Sequence, residues 1–253
     1  MPLNIKPSNF KYLILGTGGL GIALRALLYA TGLDAKGLLI RGHWAETGLW
    51  ILTALAVLSI VLLTRSLKVT GSTLPKSVAA GAGCLVASVG VLLSIGFTPR
   101  NTLLDMAELT LAGVAAFSLA VLAFCRFTGR KPLFLFHCLV CIYLAVRTVG
   151  QYRLWSSAPQ LQDYCFYLGA HVVLMLTAYQ FAAFDVQMNN LRSLWAWGLA
   201  SVYLCCLALV GEGQIFLPFC FGIWVFSNLI VPHTEQIPAE DPAPDTPRQE
   251  EIQ

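Results

Sequence analysis

The stretch "ILGTGGLGIALRALLYATG", residues 14–32, admits two incompatible folds. Residues 16–21, "GTGGLG", match the spacing G-x-G-x-x-G and follow the strand-like "KYLIL". In a dinucleotide site such glycines permit a tight turn and let the backbone approach a pyrophosphate. That reading also requires a second strand, closed by a ribose-binding acid about 20 residues on. Here Asp34 ends the apolar run, "GLLI" leads to Arg41, and further apolar segments follow in place of a βαβ alternation. Read as a membrane helix, the same letters acquire a mechanism. At about 100° per residue, Gly18, Gly21, Arg25 and Gly32 fall within about 60° of one another. In a bilayer, where packing and not water drives helix association, small residues let a neighbouring backbone come close. The glycine face is therefore also the arginine face, and it packs against protein.

Composition supports the second reading. Hydrophobic residues make up 57% of the 253 and charged residues 11%, against about 25% charged in soluble domains. So few charges cannot cover a water-exposed surface, and the chain expects lipid as its solvent. The first apolar segment, beginning near Tyr12, is long enough to stay in the membrane, and no small-residue cleavage site marks it as removable. Apolar windows long enough to cross about 30 Å of hydrocarbon recur near 12–33, 47–64, 77–97, 103–124, 132–149, 161–184, 191–210 and 214–231. The fold expected is all-α: a polytopic integral membrane bundle of about eight transmembrane helices occupying residues 1–231. Ala79, Gly83 and Ala87, at four-residue spacing in the third window, form a second small-residue packing face. Trp44, Trp155, Trp195 and Trp197 stand near expected helix ends, as interfacial anchors do.

Charge is divided along the chain. Residues 232–253 hold six of the thirteen acids, five prolines and a single basic residue, Arg248. Such a segment buries too little apolar surface to offset its ordering entropy, and it is read as a disordered acidic tail. Counting Lys and Arg in alternate connections puts ten with the termini and five on the other side, with Arg25 inside a helix. The positive-inside rule then makes both termini cytoplasmic and the chain an integral protein of the cell membrane.

Eight cysteines lie within or at the ends of apolar segments, where cysteine acts as a small hydrophobe. "HCLVC", His137–Cys141, offers two or three ligands on a helix, whereas a closed zinc site takes four. No metal and no cofactor is expected.

Several ionisable groups fall in the outer half of the membrane under this topology: Arg25, Arg147 with Tyr143 one turn away, Glu108, and His171 on a face with Tyr164 and Tyr167. A charge at such depth costs on the order of 3 kcal/mol on the mild insertion scale, so something offsets it. One reading is a polar cavity open to the outside, a ligand site built from Arg25, Glu108, Tyr143, Arg147 and His171. Two guanidinium forks would suit a carboxylate or phosphate. The other reading makes Arg25–Glu108 and Arg147–Glu212 packing pairs. Thr102 and Asp105 fit a helix-capping pattern.

Three function classes follow. The first is binding or transport of a small anionic or zwitterionic substrate. The second is a membrane-embedded interaction or sensing subunit that docks a protein partner through the acidic tail. An intramembrane enzyme is the third, but no H-E-x-x-H, G-x-S-x-G or comparable constellation appears, and no catalytic residue is assigned. Lipid is the one partner common to all three. The dispersed basic residues give no footprint for nucleic acid.

Overall fold

In hydrocarbon every backbone N–H and C=O must find its partner within the chain, so apolar runs of this length form helices. The computed structural model describes residues 7–34, 39–40, 42–66, 72–73, 76–97, 102–156, 164–186, 188, 190–211, 214–230 and 234–235. They form α1 (Pro7–Thr31), α2 (Trp44–Ser66), α3 (Val78–Ile95), α4 (Leu103–Thr128), α5 (Phe134–Trp155), α6 (Cys165–Asp185), α7 (Leu191–Leu207) and α8 (Phe216–Ile230). Helices α1 to α6 are long and apolar enough to cross a membrane, while α7 and α8 are shorter apolar helices. Residues 14–31 are helical throughout, which rules out a strand and a phosphate loop there. The expected final windows are trimmed. Helix α7 stops at Leu207, and Gly211 takes φ 130°, a backbone conformation side-chain-bearing residues avoid.

Caps set several boundaries. Thr102 and Asp105 form the expected capping box at the start of α4, Thr102 Oγ1 accepting from the Asp105 N–H and Asp105 Oδ2 from the Thr102 N–H. Gly129, at φ 77°, ends that helix. Helix α4 therefore runs four residues past its expected window and brings Arg126 inside it. A two-residue ribbon pairs β1 (Ser72–Thr73) antiparallel with β2 (Thr234–Glu235), joining the chain after α8 to the α2–α3 connection. The rest of the acidic segment lies outside the described residues.

Helices α3 to α8 pack in sequence order and close into a ring through α8 against α3, with α1 and α2 attached to α7. Only 22% of the α2 spanning window is buried, against 50% for α3 and α4. Ile51, Leu55, Leu58 and Leu62 make an exposed stripe along α2. In water such a stripe would be untenable; in lipid it is the ordinary outer surface. Inside the ring, Leu119, Leu144, Leu174, Phe221 and Trp224 are buried. Trp195 is buried in this core as well, so it is no interfacial anchor, whereas Trp44 is exposed.

The small residues act as close-approach points. A Cβ on Gly18 would lie 3.0 Å from Cys206 Sγ, and one on Gly21 would run into Leu207, both on α7. Gly32 lies one residue past α1. Its N–H closes the helix on the Leu28 carbonyl at 2.7 Å, so it ends the helix and does not extend the packing stripe. Gly83 abuts Ser227 and Trp224 of α8, and Ala87 is fully buried. Ala79, expected on the same packing face, is exposed. The pairing of Gly83 with Ser227 and of Gly90 with Cys220 runs antiparallel, so residue 79 would face a position beyond Ile230, where α8 has ended.

Replacing Gly83 by Ala should destabilise the α3–α8 contact by about 1–3 kcal/mol through overpacking. Gly113→Ala, where a Cβ meets nothing within 4 Å, should leave stability unchanged or raise it. Thermal unfolding in mild detergent compares the two.

Candidate functional site

Helices α3 to α6 and one short connection build a buried polar cluster at one end of the ring. Arg147 sits two turns before the end of α5 and is 1% exposed. It cannot reach water, so its donors must be met inside. Its Nη1 donates to Glu108 Oε1 on α4, and its Nη2 donates to Gln214 Oε1, just before α8. Tyr143, one turn earlier on α5, and Tyr167 on α6 also interact with the guanidinium. Ser94 on α3 spends its proton on the Val91 carbonyl at 2.7 Å. The Tyr143 hydroxyl, 3.3 Å from Ser94 Oγ, is therefore the donor of that pair.

His171 completes the group from α6. Its Nδ1 lies 2.9 Å from the Tyr167 carbonyl, so Nδ1 carries the proton and Nε2 of the neutral ring is an acceptor. Among the described residues, three buried atoms of this cluster make no hydrogen bond of good geometry: Arg147 Nε, Tyr167 Oη and His171 Nε2, although Tyr167 stands beside the guanidinium. Around them, Trp155 stacks on Tyr164 at 4.3 Å and meets Tyr167 edge-on at 5.1 Å. Gly150, one helical turn beyond Arg147, makes space for the acid. A Cβ there would lie 2.8 Å from Glu108 Oε2.

Of the five residues expected to share a site, the structure brings Glu108, Tyr143, Arg147 and His171 together. Arg25 is placed elsewhere at the same end. Its Nη1 donates to the Leu207 carbonyl at 2.5 Å, at the end of α7, where that carbonyl also accepts from the Val210 N–H at 3.4 Å. A cation there also complements the helix dipole. The guanidinium sits 5.1 Å from the Phe166 ring centroid, and a Cβ on Gly211 would crowd it at 3.0 Å. Arg25, Tyr29, Glu46, Trp50 and Phe166 line a small cleft of about 30 Å³, room for about one water. The expected Arg25–Glu108 pair does not form, because Glu108 belongs to Arg147. Glu212, the acid expected to pair with Arg147, lies outside the described residues, and Gln214 takes a place on the guanidinium.

A second buried polar group occupies the opposite end. His137 Nδ1 pairs with Asp185 Oδ2 at 2.6 Å, both side chains nearly inaccessible, and the His137 ring lies against Phe181 and Trp224. The buried Arg126 contributes a charge that interacts with Asp185. Sequence reasoning missed this pairing because Arg126 and Asp185 stood at expected helix ends, where charge needs no partner. Gln214 was missed because a connection carries no periodicity. Tyr167 was legible, four residues before His171 on one helical face. Among the described residues no group of three or more His, Cys, Asp or Glu side chains is arranged to hold a metal ion.

Comparison with protein-family models, with curated proteins and with solved structures gives no match, so the functional reading rests on the geometry.

Arg147→Gln and Glu108→Gln should each lower stability by about 3–5 kcal/mol, since either leaves a buried charge unpaired. The double variant Arg147→Met/Glu108→Gln should lose far less than the sum, and thermal unfolding of all three in detergent reads the coupling. Arg25→Met should cost about 1–3 kcal/mol, the loss of a charged hydrogen bond to a helix-end carbonyl.

Proposed function

We propose that this multi-pass membrane protein binds, and carries across the membrane, a small anionic or zwitterionic molecule held at Arg147. The observation that carries the reading is the convergence on one cluster of three buried atoms, Arg147 Nε, Tyr167 Oη and His171 Nε2, that find no well-formed hydrogen bond among the described residues. Buried polar atoms in native proteins are nearly always satisfied, and ionisable groups within membrane helices mark ligand and ion paths more often than other positions do. A guanidinium offers a fork of donors to a carboxylate or phosphate. The hydroxyl and imidazole beside it can orient such a group. The twofold Lys/Arg excess on the terminal side supports an outward orientation for the Arg147 end, which carries the α1–α2, α3–α4, α5–α6 and α7–α8 connections. Ligand would then enter from outside.

The test is thermal unfolding of the full chain in mild detergent against small carboxylates, phosphates and zwitterions, each with wild type and Arg147→Gln. A true ligand at 100 times its dissociation constant should add about 2.7 kcal/mol to the wild type and nothing to the variant. Stabilisation that survives in Arg147→Gln, or none by any compound, would count against the site. Truncation after residue 232 should leave binding unchanged; loss of binding there would point to a role for the acidic segment instead.

A further inference from the structure

Resting on the reading of the Arg147 cluster as a ligand site, we infer that its ligand is a small zwitterion, a carboxylate and an ammonium joined by a short spacer. The ligand enters by replacing the Gln214 carboxamide on Arg147, and it divides the Arg147–Glu108 pair between its two ends. The charge balance leads to this class. Among the described residues, Arg147 and Glu108 are the two fully buried charged members of the cluster and cancel, with Asp105 half-buried one turn before Glu108 on α4, while Tyr143, Tyr167, Gln214, Ser94 and the singly protonated His171 ring add no charge. A monoanion bound there would leave one net charge buried among apolar helices, and a monocation would do the same with the opposite sign. Burying an uncompensated charge is the costliest event in such a medium. Of ligands that carry charge, a zwitterion keeps the cluster neutral, and unlike an uncharged molecule it offers a countercharge to both Arg147 and Glu108.

The positions of the open valences match the two ends. Arg147 Nη2 is held by Gln214 Oε1, an sp² oxygen of the kind a carboxylate presents, so Gln214 stands where a carboxylate oxygen would bind. Arg147 Nε, beside it, is a donor with no well-formed hydrogen bond among the described residues. Glu108 directs Oε1 to Arg147, while its second oxygen, Oε2, packs closely over the bare Cα of Gly150 and is the acceptor an ammonium would take. His171 Nε2 is a second buried acceptor for the ammonium hydrogens, and the Tyr167 hydroxyl serves either end. Donors and acceptors thus stand side by side, as the two ends of an amino acid do.

The experiment measures binding to the full-length protein in detergent for glycine, β-alanine and γ-aminobutyrate, together with the N-acetyl derivative and the methyl ester of each. N-acetylation leaves a monoanion and esterification a monocation, and propionate and propylamine, run beside them, carry the same two charges without the added bulk. At least one zwitterion of the series should bind about 30-fold more tightly than both of its derivatives, equivalent to about 2 kcal/mol, the lower end of the cost of leaving one buried charge unpaired. In Glu108→Gln the order should invert in favour of the N-acetyl monoanion, and Gly150→Ala should weaken the zwitterion more than the monoanion. An N-acetyl derivative or inorganic phosphate that binds wild type as tightly as every zwitterion would overturn the inference while leaving the Arg147 site standing. If none of these probes and no other small carboxylate or phosphate binds, both the inference and the site reading fail. The wild-type comparison stands even if a variant does not fold.

Discussion

A guanidinium cannot be deprotonated and cannot be left bare in hydrocarbon, and this constraint organises the bundle. The chain answers it in two ways. Arg147 is met by a carboxylate and a carboxamide, which ties α5 to α4 and to the start of α8. Arg25 is met by a backbone carbonyl, which ties α1 to the end of α7. At that bond the carbonyl and dipole of a helix end supply the negative potential. That is why α7 can stop short and why the peripheral α1 is held to the ring at that level.

The two buried polar clusters share a construction. Helices α4, α5 and α6 each place polar groups near both ends: Glu108 and Arg126, Arg147 and His137, Tyr167 with His171 and Asp185. Between them the ring is filled by Leu119, Leu144, Leu174 and Phe221. A polar layer at each end and an apolar middle confine the desolvation cost to two places where partners can be supplied. The ends differ in one respect. His137 and Asp185 pair with one another, while the Arg147 end retains three polar atoms without a well-formed hydrogen bond among the described residues. A buried polar pair with its valences filled is a strut; one with donors and acceptors to spare is a place where something binds.

Glycine does its work here through absence of volume. Gly18 and Gly21 let α7 approach α1, Gly83 and Gly90 let α8 approach α3, and Gly150 clears the space above the Glu108 carboxylate. The "GTGGLG" spacing that imitates a phosphate loop arises because close-packed membrane helices draw on the same small residues for a different purpose.

The amino-acid sequence by itself determined that the chain is helical, where most helices begin and end, that lipid is its solvent, and that α1 and α3 carry small-residue faces. Those features are local: apolar run length, caps and the position of glycine within one helix. It also singled out Arg147, Glu108, Tyr143 and His171 as charges and dipoles too deep to be incidental. Tertiary structure decided who meets whom. Glu108 went to Arg147 and not to Arg25, Gln214 came in from a connection without periodicity, and Ala79 lost its neighbour because α8 ends at Ile230. Pairing depends on the relative depth and rotation of separate helices, set by the packing of the whole ring, and no single segment encodes it.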